Sequence, residues 1–210
     1  MSECCDTLHR LFNAAKRLSY PFNGDELRRN GTYIQNGIYI LFEKGERAHF
    51  GDRIVRVGTH REPNRLFSRL QQHFMRENKE SSIFRKNIGR AILSKTGDRF
   101  LTEWEKKKTN NQAKLLKVEQ EVSAYIRDNI SFVVIPEDDK AARRRMESGL
   151  ISTISLCDEH QPSSAWLGIF SSKERIRKSG LWLEQHLRED PLSPEDLALI
   201  RNKLELLENS

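Results

Sequence analysis

The sequence predicts an α+β fold: a small three-stranded, mainly antiparallel sheet flanked by helices, with helical N- and C-terminal extensions. Three observations lead there. Asn36-Gly37-Ile38-Tyr39-Ile40-Leu41-Phe42 is a compact β-branched, aromatic and aliphatic run entered through a glycine, the pattern of a buried strand. Arg53-Ile54-Val55-Arg56-Val57-Gly58 follows after a polar stretch holding Gly45 and Gly51, so the pair reads as an antiparallel hairpin with a longish loop. Ile130-Ser131-Phe132-Val133-Val134-Ile135 closes on Pro136, and its largely apolar run suits a central strand.

The helices follow from spacing. Leu8, Leu11, Phe12, Ala15 and Leu18 predict an amphipathic helix over residues 5–19, stopped by Pro21 and Asn23-Gly24. After the hairpin, Leu66, Leu70 and Phe74 form one stripe of a helix over about 63–76, with Pro63 in its first turn. Arg65, Arg69 and His73 form the adjacent stripe. A second helix is expected over 82–94, ended by Gly97-Asp98, and a third over 99–128 with a break near Thr109-Asn110-Asn111. Asp138 and Asp139 open a helix reaching Leu156, with Met146, Leu150, Ile151 and Ile154 inward and Glu147 beside that face. Trp166 and Trp182 mark aromatic islands expected to cover the main core. Ser193-Pro194-Glu195-Asp196 caps a last helix carrying Leu197, Ile200, Leu204 and Leu207. That leucine stripe is a candidate self-association element, and it leaves the oligomeric state open.

Composition narrows the function classes. With 37% hydrophobic residues in 210, the chain can bury one sizeable core. No apolar run approaches the roughly 18 residues a membrane span needs, so no membrane partner is expected. Met1-Ser2-Glu3-Cys4-Cys5-Asp6 is unlike a signal peptide, and three cysteines make no disulfide framework; both point to a reducing, cytoplasmic setting. A net charge of +6, from 36 basic and 30 acidic residues, favours a polyanion partner.

Taken in order, Gly37-Ile38-Tyr39, then Arg56-Val57-Gly58, then Arg69-x-x-x-His73, then Glu147 on a later helix resembles the GIY-YIG nuclease superfamily. The first tripeptide matches in full. The second matches in its last two positions, with Arg56 where the family has a second tyrosine. The resemblance covers about residues 31–156 and divides the chain into an N-terminal helical extension (1–30), a nuclease-like domain (31–158) and an aromatic, basic covering segment with the C-terminal helix (159–210). No asparagine follows the glutamate helix where the family often has one; only Ser163 and Ser164 lie there.

The resemblance implies hydrolysis of phosphodiester bonds, with DNA the expected substrate and Mg²⁺ (or Mn²⁺) the expected cofactor. Tyr39 would take or relay a proton from water. His73 would serve as base or orienting partner, and Arg69 would offer its planar fork to phosphate oxygens. Glu147 would be the protein ligand to a cation that keeps most of its waters. Arg56 and His60, on and just after the second strand, are secondary candidates for the cleft. Arg56 stays protonated and cannot act as a base, so the alternative is a nucleic-acid-binding module that does not cut. Arg65, Arg85, Lys86 and Arg90 are candidates for a phosphate track. Ordinary roles remain open for each: a core tyrosine, a solvated helix face, or an Arg143–Glu147 pair one turn apart.

Overall fold

A computed structural model describes residues 2–29 and 31–208. The fold is α+β. Helix α1 (Ser2–Ala14) leads to a two-residue strand β1 (Leu18–Ser19), and β2 (Arg28–Arg29) pairs with β3 (Thr32–Tyr33) as a small separate ribbon. Strands β4 (Gly37–Ala48) and β5 (Gly51–Gly58) form the hairpin. Helices α2 (Leu66–Phe74), α3 (Ile83–Thr96), α4 (Leu101–Glu105) and α5 (Gln112–Asn129) come before β6 (Ile130–Pro136). Helices α6 (Lys140–Ser155), α7 (Glu174–Ser179) and α8 (Pro194–Glu208) complete the chain. None of the described helices is long and apolar enough to cross a membrane.

The main sheet is antiparallel throughout, in the order β1-β6-β4-β5. The three expected strands are its body, and Leu18–Ser19, expected inside the first helix, is added at the edge. Strand alternation sends Tyr39, Leu41, Phe132 and Val134 into one core, packed with residues of α2, α3 and α5. It sends Ile38, Ile40, Phe42, Val133 and Ile135 into a second core with α1, α6 and α8. Because both faces are covered, β4 and β6 read as nearly unbroken apolar runs.

The longish polar loop expected between the strands is instead mostly strand. Strand β4 continues to Ala48, with register irregularities beyond Leu41, and turns through His49 and Phe50 alone. Its charged residues are held by partners remote in sequence. The buried Glu43 carboxylate accepts from the Trp166 and Trp182 indole N–H groups at 3.0 and 2.7 Å and from the Tyr125 hydroxyl. Burial pushes the Glu43 carboxyl up, and an unpartnered carboxylate there would cost several kcal/mol. Glu46 pairs with Arg53 at 2.7 Å. The two tryptophans are therefore part of the main core rather than a cover over it.

Helix α2 starts at Leu66, later than Pro63, and Asn64 precedes it with a φ of +59°. The predicted break between helices falls between Glu105 and Gln112. The α8 stripe is occupied within the chain: Ile200 and Leu204 are buried in the second core, and Leu197 and Leu207 pack against it.

Candidate active site

Two glycines set the geometry, each for a steric reason. Gly37 lies against β6, and a Cβ there would stand 2.5 Å from the Ile135 carbonyl oxygen. Gly58 pairs in register with Tyr39, and a Cβ on it would stand 2.4 Å from the Tyr39 hydroxyl oxygen. The Tyr39 ring thus lies across the backbone of β5, the edge strand, and its hydroxyl reaches the cleft beyond that edge.

Behind the phenol stands His73, on the last turn of α2. Its Nε2 is 2.9 Å from the Tyr39 hydroxyl and its Nδ1 is 2.7 Å from Ser82 Oγ. Ser82 is also the N-cap of α3, accepting the Arg85 amide at 3.2 Å. Burial, with Arg69, Arg56 and Arg85 nearby, holds the His73 pKa well below the usual imidazole range, so the ring is neutral. Arg85 supports the same corner, donating to the His73 carbonyl at 3.1 Å.

Across the cleft, α6 presents Glu147. One carboxylate oxygen accepts the Thr59 amide at 3.0 Å, just past the end of β5. Burial raises the Glu147 pKa, and the charges of Arg56 and His186 partly offset that rise. Arg56 is buried beside the Tyr39 phenol; burial lowers its pKa, and the phenol partly offsets that fall. Its Nη1 donates to the Trp182 carbonyl, and its guanidinium lies 5.4 Å from the centre of the Phe84 ring. Its Nε has no hydrogen-bond partner among the described residues. Arg69 donates to Gln72 Oε1 and to the Ser81 carbonyl, both at 2.8 Å.

Tyr39, Arg56, Arg69 and Glu147 all line one cleft of about 1130 Å³. Seven arginines against four glutamates line it, a cationic excess that suits a polyanion.

The remaining expected residues divide. Arg65 lines the cleft. His60 lines it too, but both ring nitrogens are engaged: Nε2 accepts the Gly37 amide at 3.2 Å and Nδ1 donates to the Glu62 carbonyl at 2.7 Å, an arrangement that orders the loop. Arg85 faces the interior, held by Glu119 and Ser123. Arg90 is buried with both ends of its fork on Glu105, at 2.6 and 2.7 Å. Lys86 reaches Glu80 and the Glu105 carbonyl. None of these three lines the cleft; charge clustering in sequence does not separate inward ion pairs from an outward track. Ser163 belongs to the Glu46 cluster. Arg143 holds the Glu137 and Asp138 carbonyls.

Ser82, Thr59, Trp182 and His186 join the site without having been expected. Ser82 carried a signal, since a serine before an apolar helical pattern is an N-cap. The contributions of Trp182 and His186 depend on the C-terminal segment folding back, which no local pattern encodes.

A family model described as a GIY-YIG domain matches residues 3–209. No curated protein and no solved structure matches the chain.

Proposed function

The chain belongs to the GIY-YIG domain family, within a nuclease superfamily, and we propose that it is a divalent-metal-dependent endonuclease hydrolysing phosphodiester bonds in DNA. The observation that carries this reading is the convergence of the Tyr39 phenol, Arg69 guanidinium and Glu147 carboxylate on one cationic cleft.

The donor set fits a hard divalent cation. Mg²⁺ keeps most of its waters and takes one or two carboxylates; Glu147 offers one, in a cleft roomy enough for the hydrated ion. Such a cation would supply Lewis-acid stabilisation of charge on the phosphate. The other roles fall to the chain. Neutral His73, with Nδ1–H directed at Ser82 Oγ, leaves Nε2 as the acceptor for the Tyr39 hydroxyl proton. As water attacks phosphorus, its proton passes to the Tyr39 oxygen while the phenol proton passes to His73 Nε2; the bond from phosphorus to the leaving deoxyribose oxygen breaks, and that oxygen takes a proton from water in the cleft. Arg69 lies on the cleft wall to hold non-bridging oxygens. Arg56 adds a fixed positive charge beside the phenol.

Arg56 also motivates a second reading, a module that binds nucleic acid without cutting, because it stands where the family has a second tyrosine. Plasmid incubated with Mg²⁺ and either the wild type or Glu147→Ala separates the cases. Nicking by the wild type alone is expected. Equal nicking by both proteins removes the nuclease reading. Salt-sensitive plasmid binding without nicking favours the second.

A further inference from the structure

Among the described residues, one cluster of metal-ligand type lies outside the cleft, at the opposite end of the β4–β5 hairpin. Cys5 on α1, His49 in the hairpin turn and Cys157 just after α6 place one ligand atom each within 4.8 Å of one another. Tyr39 and His49 are ten residues apart along β4, roughly 30 Å at strand rise, so this cluster is separate from the catalytic candidates. From these three side chains we propose a zinc site that ties α1, the hairpin tip and the end of α6 together.

Several features support a built site. Cys157 Sγ is 3.3 Å from His49 Nε2. Ligand atoms around tetrahedral zinc stand about 3.5–3.8 Å apart, given bonds near 2.3 Å to sulfur and 2.0–2.1 Å to nitrogen, so small side-chain shifts complete the triangle. The other ring nitrogen of His49 faces carboxylates, Glu159 at 3.6 Å and Asp6 at 3.8 Å. A carboxylate on the far nitrogen is the usual orienting partner of a metal-bound imidazole.

The backbone adds an independent observation. His49 and Phe50 form a two-residue hairpin loop with φ of +49° and +63°. Such turns favour Asn-Gly, because side chains at positive φ are strained. The Phe50 ring is fully exposed, whereas the His49 side chain, at the tip of the same hairpin, is only 1% exposed. The strained turn thus directs the imidazole inward, onto the two thiols.

Two thiols and an imidazole select zinc over magnesium or calcium. Binding would displace one proton from each of Cys5 and Cys157, giving two thiolates that neutralise the ion's charge, with water in the fourth position. Each ligand comes from a different element, so the ion would tie the three together, although its water-held fourth position differs from a structural site closed by four protein ligands.

The full chain, purified under reductant without a metal-affinity step, tests this. About one equivalent of zinc should co-purify or bind, releasing protons. Co²⁺ should give a thiolate charge-transfer band in the wild type and Cys4→Ser, and lose it in Cys157→Ser and His49→Gln. Pulse alkylation of the wild type in urea near its unfolding midpoint, which opens the otherwise buried Cys5 and Cys157, avoids reliance on variants that fail to fold: zinc should slow their alkylation at least tenfold, and chelator should remove the protection. No charge-transfer band in the wild type, equal alkylation with and without zinc, or a Cys5–Cys157 disulfide in protein isolated under reductant would overturn the proposal. None of these readouts depends on nuclease activity.

Discussion

The Tyr39 hydroxyl stands 2.9 Å from His73 Nε2, and the same imidazole reaches Ser82 Oγ at 2.7 Å. One helix cap therefore orients the histidine that orients the phenol. Ser82→Ala removes both the cap of α3 and the imidazole's second partner. It should cost about 1–2 kcal/mol of stability, measured by urea unfolding. It should also slow plasmid nicking by about tenfold, because the ring is no longer fixed at both ends. Unchanged nicking would show that Ser82 serves only the helix.

Gly58 is the point of closest approach beneath the phenol. Gly58→Ala puts a methyl group where the Tyr39 hydroxyl lies, an overpacking cost of about 1–3 kcal/mol. Nicking should fall more than tenfold while DNA binding in a gel shift stays close to wild type. Binding and cleavage lost in parallel would mean that the fold, rather than the phenol, had moved.

Arg56 fastens the C-terminal segment to the edge strand through the Trp182 carbonyl. Arg56→Ala leaves that carbonyl unpaired and opens a cavity, together costing at least about 2 kcal/mol. Limited proteolysis should then cut residues 183–190 faster than in the wild type. Equal cutting rates would contradict this fastening role.

Glu147 carries the pH prediction. Burial raises its folded pKa above the ordinary carboxylate value, so the folded state holds the proton more firmly than the unfolded chain. Its ionisation therefore costs stability as pH rises from about 4.3 through the raised value. Glu147→Gln, which keeps an acceptor for the Thr59 amide, should be more stable than wild type near pH 7.5, with the gap closing toward pH 4.5. Millimolar Mg²⁺ should stabilise only the wild type. Urea midpoints with and without Mg²⁺ measure both effects. A Mg²⁺ response that survives in Glu147→Gln would remove this carboxylate as the ligand.

The hairpin, its two glycines and the covered third strand were legible because compact apolar runs and the glycines that bound them are local signals. The stretch from Glu43 to Ala48 was not. Its charges suggest a loop, and they sit in a strand only because Tyr125, Ser163, Trp166 and Trp182 supply donors from far along the chain. The same limit hid the inward course of Arg85 and Arg90, whose partners Glu119 and Glu105 lie 34 and 15 residues away. Within the candidate site, Tyr39, Arg69, His73 and Glu147 are singled out by the resemblance to the GIY-YIG superfamily; spacing alone reads Arg69 and His73 as a solvated helix face. His186 reaches it only through tertiary folding.

The proton-relay role of Tyr39 is tested most directly by measuring binding and cleavage of one labelled duplex, with Mg²⁺, by the wild type and Tyr39→Phe. The variant keeps the ring that packs against β5 and loses only the hydroxyl. Equal affinity with cleavage slowed by at least about a hundredfold is the predicted result. Cleavage at the wild-type rate by Tyr39→Phe would contradict it.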